Sequence, residues 1–494
     1  MEQARVLAAS RRMWIDGQWT EAANGAAYAV PNPATEELLG TAPDATVADM
    51  ERAIAAARRA FDEGPWPQST RQDRARVLTA IADGMERRKE ELRQLLIAEA
   101  GATWLTHDIQ LEQPINLLRH YAGLALEFAF EEALPSRVTE GPLGTQLNSS
   151  LVCRQPAGVC GLIPTWNFPL FVTAQKLGPA LATGCTMVFK PSPWGPLVNL
   201  LLAEIIAEAD LPPGVVNFVT GQATAIAETL VSDPRVDKVS FTGSVGTGKK
   251  IMEAAAKTLK RVHLELGGKS VGIYLDTDNL DMMAPVACGP SFFHAGQGCA
   301  MATRVLVPKE VHDPFVQKMV DFVGGMVKIG DPADPGTFLG PVIRDERRTK
   351  IEEYIESGKR EGATLAHGGR RPQDLPRGYF LEPTIFCAVP NRIRIAQEEI
   401  FGPVVSVIPF RDLDEAVRIA NDSTYGLGGA VYSRDTARAL AVAKRIRTGV
   451  VWINNGINFL DAPFGGFKQS GLGREGGRFG VEEYTELQQI TWRA

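Results

Sequence analysis

A chain of 494 residues and 53.5 kDa is too long for one ordinary core, so two or three domains are expected. Hydrophobic residues at 45% and charged residues at 22% exclude wholesale disorder, and a net charge of −6 argues against nucleic acid or an anionic membrane as the partner. Apolar runs such as Leu200-Leu201-Leu202-Ala203 stop at Glu204, far short of a membrane span, and the opening Met1-Glu2-Gln3-Ala4-Arg5 has no signal-peptide core.

In chain order, Met13 to Trp19 reads as a short hairpin with Asp16-Gly17 at its turn. Met50, Ile54, Ala57 and Phe61 recur at helical spacing until Gly64-Pro65 ends the helix. Ser69 is expected to cap the next helix with Gln72 as its capping-box partner. Val77, Leu78, Ile81, Met85, Leu92 and Leu95 form that helix's buried stripe. From Gly158 the pattern turns to strict alternation. Strands start near Val159, Thr186, Val215, Asp237 and His263, with amphipathic helices near 170–182, 197–209, 224–231 and 246–259. That order predicts right-handed crossovers and a parallel sheet covered on both faces, which binds ligands beyond its carboxyl strand ends. A second α/β run extends from Val271 to Asn454, with strands at Val404 to Pro409, Gly428 to Tyr432 and Val450 to Ile453. No repeat or long charged run separates the two, so a cleft between them is the expected site.

Five short motifs carry chemistry. The first is Phe293-His294-Ala295-Gly296-Gln297-Gly298-Cys299. Alone, such a cysteine is a small buried hydrophobe, but Gly298 and Ala300 leave room for a substrate carbon to reach its sulfur. The second, Leu264-Glu265-Leu266-Gly267-Gly268-Lys269, ends a strand in an acid and two glycines, which sets a carboxylate at the open end of a sheet; a surface or capping acid is the alternative. The third, Pro164-Thr165-Trp166-Asn167-Phe168-Pro169, offers an amide that either stabilises negative charge developing on oxygen or caps a helix. The fourth, Phe241-Thr242-Gly243-Ser244-Val245-Gly246-Thr247-Gly248, suits phosphate at a helix N-terminus. It nearly satisfies a P-loop, but Lys250 stands where a Mg²⁺-holding Ser or Thr belongs, which disfavours an ATPase. The fifth, Phe189-Lys190-Pro191-Ser192-Pro193, ends another strand with a lysine able to reach a ribose hydroxyl or a phosphate. The six cysteines and six histidines show no metal-ligand spacing, and the cysteines suggest a reducing, cytoplasmic setting rather than a disulfide framework.

Together these motifs resemble the aldehyde dehydrogenase superfamily, its hydrolytic NAD(P)-dependent members in particular. The resemblance also takes in Asn32-Pro33-Ala34-Thr35, Gly330-Asp331-Pro332, Glu399-Ile400-Phe401-Gly402-Pro403 and the stretch from Pro463 to Gly471, and so covers nearly the whole chain. It implies an α/β fold with a Rossmann-like cofactor domain (1–135 and 151–265), an α/β catalytic domain (266–463) and a small β oligomerisation arm (136–150 and 484–494). It implies Cys299 as nucleophile, Glu265 as general base and the Asn167 amide in an oxyanion hole. Cofactor contacts are implied for Lys190, Ser192, Trp166, Gly243, Ser244, Glu399, Phe401, Pro164 and Gly267, and substrate contacts for Phe168, Phe171, Gln175, Phe293 and Phe459. Phe292, Met301 and Leu460 stand beside that tunnel set. The cofactor is NAD, with NADP possible because Pro193 replaces the family's usual glutamate. The partners implied are a small aldehyde and further copies of the chain, as a homodimer or homotetramer. An aldehyde is oxidised to its acid through a cysteine thiohemiacetal and thioester, and a carboxylate at Glu265 favours hydrolytic release over transfer to coenzyme A. No arginine stands at Gln175 to pair with a distal carboxylate, so apolar aliphatic or aromatic aldehydes are expected. A catalytically silent relative and a thioesterase are the competing classes; NADH production from a simple aldehyde separates them.

Overall fold

The computed structural model describes residues 11–142, 144–276 and 278–493, so the opening Met1 to Arg5 and two positions of the expected arm, 143 and 494, lie outside the described residues. Strands Met13–Ile15 and Gln18–Thr20 pair antiparallel with Trp14 opposite Trp19. Asp16 and Gly17 at their turn take positive φ angles of 55° and 73°, the backbone a tight two-residue hairpin turn requires. The helix Val47–Asp62 buries Met50, Ile54 and Ala57 and starts on a capping box between Thr46 and Asp49.

Two details of the next region differ from expectation. The cap is Thr70 with Asp73, one residue later than Ser69 with Gln72. The Ser69 hydroxyl instead donates to Trp66 O at 2.6 Å, closing the preceding short turn. The expected single helix is two, Arg71–Arg87 and Lys89–Ala100, because Arg88 leaves the helical region at φ −101° and ψ 21°. The apolar stripe nonetheless stays buried across the break, since Met85, Leu92 and Leu95 are all in the same core.

The larger sheet has eight strands in the order Gly471–Leu472, Arg261–Glu265, Lys238–Thr242, Val159–Ile163, Thr186–Phe189, Val216–Phe218, Met13–Ile15 and Gln18–Thr20. The five from Arg261–Glu265 to Val216–Phe218 run parallel, with apolar cores on both faces. The chain begins this group in the middle, at Val159–Ile163, moves outward through Thr186 and Val216, then returns to the other side at Lys238. The reversal therefore falls between Val159–Ile163 and Lys238–Thr242, and a crevice opens beyond the carboxyl ends of such a pair.

The second sheet has seven strands, Thr364–His367, Thr384–Cys387, Val404–Phe410, Arg304–Pro308, Val271–Tyr274, Gly428–Tyr432 and Val450–Ile453, parallel except at the first pair. It encloses a separate core. A third sheet of three strands, Glu131–Gly141, Gly144–Pro156 and Thr485–Arg493, projects with most side chains exposed. Among the described residues no helix is long and apolar enough to cross a membrane.

Candidate active site

The crevice at the reversal is filled from the strand ends. After Val159–Ile163 come Pro164 to Asn167, after Lys238–Thr242 come Gly243 and Ser244, and Arg261–Glu265 ends on Glu265 itself. The second sheet contributes the segment between the helix Leu280–Phe292 and the strand Arg304–Pro308, which carries Cys299. Thr165, Trp166, Asn167, Gly243, Ser244, Glu265 and Cys299 line one cavity of about 1260 Å³. Gly268 passes directly against the Cys299 carbonyl: a Cβ there would lie 2.3 Å from the oxygen, so only glycine lets the two segments meet.

The backbone before the cysteine is unusual. His294, Ala295 and Gly296 take successive left-handed φ angles of 49°, 54° and 70°. For the two residues with a Cβ that costs roughly 1–2 kcal/mol each, a strain that persists only where the surroundings impose it. The buried Gln297 side chain imposes it, donating to His294 O at 3.2 Å and to Pro341 O at 3.3 Å while accepting from Ile343 N at 2.9 Å. Gln297 O in turn accepts the Asn167 side-chain amide at 2.9 Å. One Asn167 N–H is thereby fixed and the second is left over, and Asn167 O is held from behind by the Gln110 amide at 2.8 Å. Asn167 does not cap the following helix, Pro169–Thr183, which begins at Phe168 without a side-chain cap.

The electrostatics of the inner end are set by burial. Glu265 is buried with one carboxyl oxygen unpartnered, and its pKa is pushed up to about 8 by burial and by the negative charge of Glu475, against a hydrogen bond with Cys299 that lowers it. The Cys299 thiol is itself driven upward by burial and by Glu265, while its own backbone N–H works the other way. The thiolate is thus disfavoured unless a neighbour takes the proton, and Glu265 is in contact to do so. Glu475 accepts from the buried Lys176 Nζ at 2.8 Å, and the same ammonium donates to Ser240 Oγ at 3.0 Å.

The cavity has two further sides. On one, Trp166, Gly243, Ser244, Gly267, Glu399 and Phe401 form the wall. Ser244 is the N-cap of the helix Val245–Ala255, so the positive end of its dipole and unpaired N–H groups face the crevice. Glu399 accepts from Gly268 N at 3.0 Å, and burial lifts its pKa to about 7. This donor and acceptor set fits a dinucleotide: N–H groups for pyrophosphate, a carboxylate for a ribose hydroxyl. Lys190, Ser192 and Pro164 do not form that wall, although Pro164 and Lys190 each follow a strand of the sheet at its carboxyl end. Lys190 is buried, which draws its pKa down to about 8.

On the other side Phe168, Phe171, Gln175, Phe293, Met301, Phe459 and Leu460 line the cavity, and Phe459 is 72% exposed, marking the mouth. Phe292 is instead fully buried in the second core. Asp108 also stands in the lining, with Gln113 donating to it at 3.1 Å. Among the described residues the lining's one cation is Arg347, which donates to the Ile400 and Phe401 carbonyls beside the dinucleotide wall.

Sequence reasoning missed Glu475, Lys176, Gln297, Gln110 and Arg347. A signal existed for Lys176, the single charged residue of the otherwise apolar helix Pro169–Thr183. Gln297 sat inside a recognised motif but was passed over because its work is done through backbone groups.

A family model described as the aldehyde dehydrogenase family matches residues 19–490. A geranial dehydrogenase of Castellaniella defragrans is 43% identical over 485 residues, covering 97% of this chain and 98% of that protein. A betaine aldehyde dehydrogenase of Bacillus subtilis is 40% identical over 484 residues, covering 97% of each. Among solved structures, betaine aldehyde dehydrogenase from Staphylococcus aureus in complex with NAD+ superposes with a TM-score of 0.95 at 40% identity, covering 99% of this chain and 96% of that one.

Proposed function

The chain belongs to the aldehyde dehydrogenase family, and from that premise we propose that it oxidises uncharged, largely apolar aldehydes to carboxylic acids through Cys299. It is an NAD(P)-dependent aldehyde dehydrogenase with NAD as its cofactor. The observation that carries the finer reading is the convergence of Cys299, Glu265 and Asn167 at the buried end of a cavity walled with phenylalanine.

In the reaction we assign, Glu265 takes the proton of the neighbouring Cys299 thiol, whose proximity already acts on its pKa. Sulfur attacks the aldehyde carbon, and the new oxyanion accepts hydrogen bonds from the free N–H of the Asn167 amide and from the Cys299 backbone N–H. NAD, held by Ser244 and Gly243 at its pyrophosphate and Glu399 at a ribose, supplies the acceptor for the hydride that the tetrahedral carbon expels. Lys190 and Ser192 are assigned to its outer, adenosine end. What remains on Cys299 is a thioester. Once Glu265 has released the thiol proton to solvent, it takes a proton from water, which attacks the thioester; Cys299 leaves as the thiolate and the acid is released. A pKa of about 8 suits this work, because the group is basic enough to accept a proton yet ionises near neutral pH. Burial and the charge of Glu475 sustain that value, and Glu475 is itself paired with Lys176.

The substrate class follows from charge. The tunnel side holds the carboxyl of Asp108, and among the described residues its lining has no cation besides Arg347 at the dinucleotide wall, so an aldehyde with a distal carboxylate finds no partner there. Geranial, named in one relative, is an uncharged apolar aldehyde. A second reading, an aldehyde bearing an ammonium group, is favoured by Asp108 and by relatives named for betaine aldehyde and aminoaldehydes. The three-stranded sheet supports the reading of an arm that pairs copies of the chain, its edge strand Thr485–Arg493 exposing Leu487, Ile490 and Trp492. Six cysteines free of disulfides support a reducing, cytoplasmic setting.

The test is kcat/KM, read as NADH formation, for hexanal, benzaldehyde, betaine aldehyde and succinic semialdehyde, with Cys299→Ala as the inactive control. Hexanal and benzaldehyde are expected to lead. A lead for succinic semialdehyde overturns the wall reading, and a lead for betaine aldehyde gives the outer tunnel to Asp108.

A further inference from the structure

Phe168, Phe171 and Gln175 lie along one face of the same helix, about one turn apart, and all three line the cavity. Two are apolar, as a tunnel for uncharged aldehydes requires. The third is an amide that is only 6% exposed. Five side-chain amides line the cavity, Gln113, Asn167, Gln175, Asn455 and Asn458. Four are engaged: Gln113 with Asp108, Asn167 with Gln297 O, Asn455 with the Tyr432 hydroxyl and Asn458 with the Trp452 indole. Among the described residues Gln175 is the one of these five amides with no hydrogen-bond partner at either end, whereas the other unpartnered lining groups, Asn167 Oδ1, Glu265 Oε1, Thr242 Oγ1, Ser270 Oγ and Glu475 Oε2, belong to the inner end of the cavity or the wall beside it. Buried polar groups are nearly always paired, and an amide left without a partner on an otherwise apolar stretch of tunnel wall points to the ligand as the missing partner.

We propose that Gln175 reads a second, uncharged oxygen on the substrate, a hydroxyl, ether or ketone carried on an otherwise apolar aldehyde. The inference rests on the reading of the tunnel as a site for uncharged aldehydes. An amide accepts from a hydroxyl and donates to a carbonyl or ether, but it neutralises neither a carboxylate nor an ammonium. A plain hydrocarbon chain entering the tunnel removes water from Gln175 and leaves the amide unpaired, whereas an oxygenated chain replaces that water. Sites built this way reject the analogue that lacks the polar atom far more strongly than they sense one methylene.

The experiment compares matched pairs: hexanal with 6-hydroxyhexanal, and benzaldehyde with its 3-hydroxy and 4-hydroxy derivatives, on the wild-type enzyme, Gln175→Leu and Gln175→Met. The readout is the ratio of kcat/KM within each pair, so a general loss of activity in a variant cancels. In the wild type at least one hydroxylated member is expected to lead its parent by about tenfold, equivalent to about 1.4 kcal/mol. Both variants should bring that ratio to one or below. Two variants of different shape guard against a packing defect in either, and thermal melts report whether each folds. A ratio that survives both substitutions, or a wild type that prefers every parent aldehyde, overturns the assignment while leaving uncharged aldehydes as the substrate class. A wild type that oxidises none of these compounds overturns the substrate class itself and this inference with it.

Discussion

At the inner end of the cavity Asn167, Glu265, Glu475 and Lys176 are buried, and Asn167 and the Lys176–Glu475 pair are fixed by hydrogen bonds at or below 3.0 Å to backbone or to one another. At the outer end Phe459 is 72% exposed, Ile457 is 77% exposed, and the walls are aromatic faces that make shape but few directional contacts. The contrast matches the work proposed for each end. Bond making at Cys299 requires donors and a base held still, and in a dry site each polar atom must be paired or poised for a reactant. Selection among aldehydes requires only volume, apolar surface and a polar atom or two. A side chain at the inner end therefore carries both stability and chemistry, whereas an exposed one at the mouth, such as Phe459, carries neither.

The largest expected break in that contrast comes from Lys176→Met. It strips the cation from the buried carboxylate of Glu475, already close enough to raise the pKa of Glu265. Leaving one member of a buried pair unpaired costs about 3–5 kcal/mol of stability. Phe459→Ala at the mouth should change stability by less than about 0.5 kcal/mol. Chemical denaturation of both variants checks the contrast, and equal losses would mean that the inner end is no more constrained than the mouth.

Asn167→Ala comes next. Loss of a single oxyanion donor costs about 3 kcal/mol of transition-state stabilisation, a fall of 10²–10³ in kcat. Phe171→Ala, by contrast, should act chiefly on KM. A fall below threefold for Asn167→Ala would reduce its amide to a strut for the Gln297 carbonyl.

How much of this was open to reading from the sequence depends on the distance over which each feature is encoded. The strands from Val159 to Glu265 and the helices between them follow from local periodicity, because a parallel sheet buried on both faces leaves continuous apolar runs. Cys299, Glu265 and Asn167 each sit in a short motif at a strand or helix boundary, so their residue types were visible before their meeting was. The Lys176–Glu475 contact joins residues 299 positions apart, and Gln110 reaches Asn167 across 57, separations that no window of sequence encodes. The Ser69 cap failed on a smaller scale. Either hydroxyl satisfies the pattern, and the choice of Thr70 was made by the turn at Trp66, which claimed Ser69 first. Lys190 shows the opposite limit: its place after a strand was legible, but not that the lining of the main cavity passes it by.

A dependence on pH isolates the burial of Glu265 from its chemistry. An ordinary glutamate ionises near 4.5, whereas in the folded protein burial and Glu475 raise Glu265 to about 8. Between those values the unfolded chain has released the proton and the folded protein still holds it. Folding therefore loses stability from this group as pH rises through the window, and the loss is complete once pH exceeds about 8. Glu265→Gln is neutral at every pH and escapes the penalty. The melting temperature of the variant relative to wild type should rise steadily between pH 5 and 9 and level off above the folded value. A Phe171→Ala control at the outer wall removes no ionisable group and should shift by a constant amount across the same range. A constant offset for Glu265→Gln would mean that Glu265 titrates as an ordinary solvated carboxylate, and one that shrinks as pH rises would mean that its charged form is favoured in the fold. The proton it is assigned to take from Cys299 and from water would then have to go elsewhere.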